Sequence, residues 1–150
     1  MSATVRAVAS TIAGIILGAM WWLFIDGYTS CASISGADCA AVSGSAGYAW
    51  LPPFAATLSF VMLNGFRWSE LRDDMTGDSS TAAKARVFLL FTLLIAVLAI
   101  GGGAFVMTER FLQVSGAYRW AGISCFVSAL GIVLAGFLMR FLSLPPADAY

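Results

Sequence analysis

A continuous apolar stretch runs from Val87 to Met107 and reads VFLLFTLLIAVLAIGGGAFVM. It contains no charge, no proline and a single hydroxyl side chain. At 1.5 Å per residue, a helix of this length extends about 30 Å, the hydrocarbon thickness of a bilayer. Because a helix that is apolar on every side is typical of a membrane span, the pattern predicts a transmembrane helix over about 84–107.

Three other stretches have the same character, and we expect spans over about 7–25, 50–68 and 119–142. In the second, Pro52 and Pro53 suit the first turn of a helix, where a missing N–H costs least. The chain is therefore predicted to be all-α. We expect one polytopic membrane domain over 1–150, a bundle of four transmembrane helices with both termini on the same side.

The first span has an alternative interpretation as a cleaved signal peptide. A basic residue precedes its apolar run, and Ser30, Cys31 and Ala32 form a small-residue cleavage site. The run is long for a signal peptide, however, and it contains a pair of tryptophans. These features favour a retained span.

Two hydrophilic stretches, residues 27–47 and 69–83, are predicted to be loops between the spans. Basic residues concentrate on the cytoplasmic side of membrane proteins, so their distribution gives the orientation. The side that holds both termini has Arg6, Arg67, Arg72, Lys84, Arg86 and Arg140, and the other side has Arg110 and Arg119. We therefore expect both termini in the cytoplasm.

The composition agrees with a protein that lies almost entirely in the membrane. Hydrophobic residues make up 60% of the 150-residue chain and charged residues 11%, against roughly a quarter in soluble proteins. The formal net charge is zero, which favours no nucleic-acid partner. The chain has no histidine, the commonest metal ligand and general base. We expect no enzymatic activity, no metal site and no cofactor.

Aromatic and polar residues near the ends of the predicted spans indicate where the bilayer surface lies. Tryptophans are enriched at this interface, and long basic side chains reach it from within a span. Asn64 could instead donate a hydrogen bond to a neighbouring helix or line a polar path. The predicted anchors are Trp21, Trp22, Trp50 and Trp68, and the polar residues at the membrane ends are Asp26, Asn64, Arg67 and Arg140.

Small residues recur at helical spacing in two spans. Ser10, Gly14 and Gly18 lie four residues apart in the first span, and Ser124 and Ser128 do so in the fourth. Small side chains at this spacing let another helix approach closely. The rows are explained either by packing inside the bundle or by an interface with a separate membrane partner.

Two interpretations fit the cysteines that follow the first span. Cys31 and Cys39 lie in the same predicted non-cytoplasmic loop, where a disulfide is stable. The alternative is two free thiols. Cys125 lies within the fourth span, where we expect it to pack against other side chains.

Each predicted span contains a characteristic segment: TIAGIILGAMWWLFIDG in the first, FVMLNGFR in the second, ARVFLLFTLLIAVLAIGGGAFV in the third and GFLMRF in the fourth. Together these segments resemble the transmembrane protein 50 family, also known as the vacuolar protein sorting-associated protein 68 family. The matching residues are Ala13, Gly14, Trp21, Trp22, Asp26, Asn64, Gly65, Ala85, Arg86, Gly136, Arg140 and Phe141.

The resemblance implies a four-span protein of endosomal, Golgi or ER membranes without catalytic activity. In fungi, such a protein acts in late-endosome-to-vacuole sorting together with a second small four-span protein. We therefore expect a non-enzymatic protein of the lipid bilayer that assembles with other integral membrane proteins in endosomal or vacuolar trafficking.

Two other functions fit parts of the sequence. A supernumerary structural subunit of a large membrane complex, such as a respiratory or photosynthetic assembly, would also have little mass outside the membrane. A small transporter is the third interpretation. No predicted span has a charged residue near its middle, and this counts against transport.

Overall fold

A computed structural model of the chain describes residues 3–33, 46–65, 79–112 and 118–142. This part of the chain is all-helical, as the sequence predicts. Its four α-helices are α1 (Ala3–Ser33), α2 (Ala46–Gly65), α3 (Ser79–Val106) and α4 (Tyr118–Leu142). A π-helical segment, Met107–Phe111, extends α3, and the N–H of Leu112 donates to the carbonyl of Met107 at 2.9 Å.

Three of the helices contain a stretch that is long and apolar enough to cross a membrane. These stretches are Ala7–Cys31 in α1, Ala83–Glu109 in α3 and its extension, and Arg119–Leu142 in α4. Within the described residues, α2 is not among them. It has 20 residues and carries Pro52 and Pro53 in its interior.

The four helices run alternately up and down. At the upper end of the bundle, α1 and α3 finish and α2 and α4 begin. Residue contacts give the direction of each helix relative to its neighbours. Helix α1 contacts α2 through Tyr28–Trp50 and Trp21–Phe54, and α2 contacts α3 through Pro52–Gly102 and Ser59–Thr92. Helix α4 contacts α3 through Phe111–Gly122 and Gly103–Phe126, and it contacts α1 through Gly27–Ser124 and Met20–Gly131. In each of these four pairs of helices, a later residue of one meets an earlier residue of the other, so the two helices are antiparallel.

Helix α4 is the centre of the bundle and packs against α1, α2 and α3. In its most apolar stretch 50% of the residues are buried, compared with 17% in α1 and 22% in α3. Helices α2 and α4 run parallel to each other, and their residues keep the same register along the contact. Ala49 lies against Cys125 and Phe60 against Gly136, which is 11 residues further on in both helices.

Many of the buried side chains form two clusters, one at the upper end of the bundle and one below it. The upper cluster consists of Phe24, Cys31, Ala49, Val106, Phe111, Ala121 and Cys125. The lower cluster consists of Ala56, Ala96, Ala99, Ala129, Ile132 and Val133. Because four of the six lower residues are alanines, the helix backbones approach each other closely there.

Two boundaries differ from the prediction. Residues 27–33 are helical, so the predicted loop over 27–47 is wrong for this part, and Asp26 lies inside α1 instead of ending it. Packing explains the extension, because Gly27 meets Ser124 of α4 and Cys31 is buried in the upper cluster. Helix α2 begins at Ala46, four residues before the predicted start, and its prolines lie beyond the first turn.

Candidate functional site

A polar connection joins α1 to the proline-containing turn of α2. The indole N–H of Trp21 donates to the hydroxyl oxygen of Thr57 at 3.0 Å. The Thr57 hydroxyl donates in turn to the carbonyl of Pro53 at 2.8 Å. Trp21 is therefore half-buried and connects two helices, while its role as an anchor at the bilayer surface stays a prediction.

Trp21 belongs to an aromatic group that fills the space between α1 and α2. Trp50 lies at its centre, with its ring 4.9 Å from Phe24, 5.4 Å from Tyr28 and 6.0 Å from Phe54. The first two contacts are edge-to-face, the arrangement that aromatic quadrupoles favour. Trp50 is therefore also a packing residue of the bundle.

Small residues allow α1 and α4 to approach each other closely. A Cβ atom added at Gly27 would overlap the side chain of Ser124, and one added at Gly131 would overlap Met20. Ser124 and Ser128 are both buried, and their hydroxyls donate to carbonyls of their own helix. The structure therefore places the predicted serine row of α4 inside the bundle.

The other predicted small-residue row faces outward. Ser10, Gly14 and Gly18 are all exposed on α1. A Cβ atom added at Gly14 or Gly18 would have no neighbour within 4 Å. The Ser10 hydroxyl donates to the carbonyl of Ala7 at 2.9 Å, so it is satisfied within α1. Within the described residues, no helix covers this face of α1.

Asp26 and Trp22 lie on the outer surface near the upper end. Trp22 is 74% exposed, the position expected of an interface anchor. One carboxylate oxygen of Asp26 accepts a hydrogen bond from the indole N–H of Trp120 at 3.2 Å. Sequence reasoning missed Trp120 because its partner lies 94 residues away. Thr57 could have been noticed, since a hydroxyl four residues after a proline can reach its carbonyl.

The remaining predicted residues do not come together as a site. The side-chain amide of Asn64 donates to the carbonyl of Phe60 in its own helix at 2.8 Å, not to a neighbouring helix. Arg140 is half-buried near the lower end of α4. Arg67 and Trp68 lie outside the described residues.

The cysteines divide into two kinds. Cys125 is free and buried, and its thiol lies 3.4 Å from the carbonyl oxygen of Ala49. Cys31 is buried at the upper end and is disulfide-bonded. Cys39 lies outside the described residues, so the bond between Cys31 and Cys39 stays a prediction.

The described part of the chain also has an open groove on α3 near the lower end. Its volume is about 510 Å³, and it is lined by Ala83, Lys84, Val87, Phe88 and Phe91. In the same part, no three residues among Cys, Asp and Glu are grouped so that they could hold a metal ion.

Comparisons with known proteins agree with this architecture. The profile of an uncharacterised protein family, UPF0220, matches residues 1–144. A transmembrane protein 50 homolog from Dictyostelium discoideum is 30% identical over 154 residues, which cover 100% of this chain and 98% of the homolog. No solved structure matches the chain.

These matches confirm the resemblance to the transmembrane protein 50 family that the span sequences indicate. They agree with the helices of the structure, three of which are long and apolar enough to cross a bilayer. The chain therefore belongs to the UPF0220 family and is a multi-pass membrane protein, similar along its whole length to the transmembrane protein 50 homolog.

Proposed function

We propose that this protein is a non-enzymatic membrane protein that assembles with another integral membrane protein and acts in protein trafficking. We assign it to endosomal, vacuolar, Golgi or ER membranes. Family membership supports the trafficking role through the resemblance of the spans. The assembly role rests on one structural observation, the uncovered outer face of α1.

This outer face has a shape suited to a second helix. Ser10, Gly14, Gly18 and Trp22 are spaced by four residues, so they form one row along α1. The two glycines leave backbone open over two turns, and Trp22 rises from the surface at the upper end. Without side chains between them, two helix backbones gain close van der Waals contact.

The small residues of α4, unlike this row of α1, already contact other helices of the bundle. Ser124 contacts Gly27 of α1, and Gly136 contacts Phe60 of α2. Helix α1 packs against α4 through a different face, which includes Met20 and Gly27. The row of Gly14 and Gly18 therefore remains free of contacts within the described bundle.

The test is purification of the tagged protein in mild detergent from cells that make it, with mass spectrometry of the proteins that accompany it. Gly14→Leu and Gly18→Leu would block close approach at a cost of about 1–3 kcal/mol, or roughly 5- to 150-fold in affinity. We expect these variants to retain their fold and lose the partner.

Gly101→Leu is the matched control, because Gly101 is an equally open glycine on α3. It should retain the partner. If both α1 variants also retain every partner, the row is not the interface. If the wild-type protein brings down a respiratory or photosynthetic assembly instead of a small membrane partner, the trafficking role is wrong.

A further inference from the structure

Helix α2 includes two consecutive prolines in its interior, and both are buried. In an α-helix, the N–H of each residue donates to the carbonyl four residues earlier. Proline has no N–H, so Pro53 cannot donate to the carbonyl of Ala49. Because this turn is buried, water cannot take the place of the missing donor, and a buried carbonyl without a donor is costly.

The carbonyl of Ala49 has a different donor nearby. The Sγ atom of Cys125 in α4 lies 3.4 Å from this oxygen. Cys125 is 0% exposed and Ala49 is 7% exposed, so the contact is shielded from solvent and lipid. A thiol is a weak hydrogen-bond donor, but it is a donor at the position where the helix lacks one.

A second helix holds the same turn from the other side. The carbonyl of Pro53 accepts the Thr57 hydroxyl, and that hydroxyl oxygen accepts the indole N–H of Trp21 from α1. The turn of α2 around the prolines is thus attached to α4 through Cys125 and to α1 through Trp21. Trp50, which lies between these attachments, is the centre of the aromatic group.

We infer that the thiol of Cys125 replaces the backbone hydrogen bond that Pro53 removes from α2. Cys125 is therefore a positioning residue. It allows α2 to continue through the prolines to Ala46, and it keeps α2 in step with α4 at the upper end of the bundle. This role accounts for a buried cysteine in a span where a slightly larger or smaller apolar residue would otherwise serve equally well.

The test is a double-mutant cycle on the full-length protein in detergent, with Tm measured by the loss of the monodisperse peak after heating. Cys125→Ala removes the donor and should lower Tm by about 2–4 °C. Pro53→Ala restores the N–H that reaches Ala49. In the Pro53→Ala background, Cys125→Ala should therefore lower Tm by clearly less.

Two further variants separate the hydrogen bond from simple packing. Cys125→Ser keeps a hydrogen-bond donor and should have a Tm near that of the wild type. Cys125→Val fills the volume without a donor and should lower Tm as Cys125→Ala does. Ser128→Ala is the matched control, because the Ser128 hydroxyl is buried in α4 but donates to its own helix. Ser128→Ala should change Tm by the same small amount in the wild-type protein and in the Pro53→Ala protein.

The inference is overturned if Cys125→Ala lowers Tm equally with and without Pro53→Ala, because the thiol then contributes volume only. It is also overturned if Cys125→Val is as stable as the wild type. This second comparison does not depend on Pro53→Ala, so it decides the matter even where that variant does not fold.

Discussion

Glycines of the same helix have opposite roles in this protein. Gly27 faces α4, where an added Cβ would lie 2.6 Å from the Cβ of Ser124. Gly14 and Gly18 face outward with nothing nearby. The sequence predicts close packing for Gly14 and Gly18 because they are four residues apart, and it offers no reason to single out Gly27. Only the direction in which α1 faces α4 separates them.

At this scale we predict that Gly27→Ala destabilises the fold and Gly14→Ala does not. The Cβ of Ser124 cannot rotate out of the way, so α1 must shift, at a cost of about 1–3 kcal/mol. At Gly14 the added methyl group is unopposed, and alanine is the better helix former. Thermal unfolding in detergent measures both variants. Equal Tm values for the two would show that α1 does not pack on α4 through Gly27.

Helix α1 has two adjacent tryptophans that lie in different environments. Neighbouring residues of a helix point about 100° apart, so Trp21 and Trp22 cannot share one environment. Trp21 is half-buried and bonded to Thr57, whereas Trp22 is 74% exposed. As a result, α1 is attached to α2 through one indole and presents the other to the surroundings.

We therefore predict different effects from the same substitution at these two positions. Trp21→Phe removes the hydrogen bond to Thr57 and should cost about 0.6–1 kcal/mol, the usual range for such bonds between membrane helices. Trp22→Phe should leave stability unchanged. Thr57→Val should cost less in the Trp21→Phe background than alone, because the bond is already absent. Full additivity in this Tm cycle would contradict the contact.

For the whole molecule, the directions of the helices bear on the topology. Helices α1 and α3 both run toward the upper end, and both contain a stretch that can cross a membrane. We propose that the chain between them returns through the bilayer and that α2, the described helix that runs the opposite way, is a fourth span. Both termini would then lie on the same side, and the excess of basic residues on that side leads us to propose that it is cytoplasmic.

This topology predicts that the two connections on either side of α2 lie on opposite sides of the membrane. A peptide with a glycosylation acceptor inserted at 34–45 should be modified in ER membranes, and the same peptide at 66–78 should not. Lys84, Arg86 and Arg140 all lie at the lower end, which agrees with a cytoplasmic location. Modification at both sites would mean that α2 does not cross.

The helical class, the membrane location and the family could all be predicted from the amino-acid sequence. These follow from uninterrupted apolar runs and from matching segments, which are local properties of the chain. The bounds of α1 and α2 were predicted less well. Helix α1 continues to Ser33, because Gly27 and Cys31 pack against other helices, and the prolines of α2 lie in its interior and not in its first turn.

Which residues face inward could not be predicted from the sequence and is visible only in the folded bundle. The bond from Trp21 to Thr57, the contact of Cys125 with Ala49 and the open row of Gly14 and Gly18 depend on how helices far apart in the chain are placed. A membrane helix that is apolar on every side carries little pattern to orient it. Its inner face is therefore set by the shapes of its neighbours and by the few hydrogen bonds that they supply.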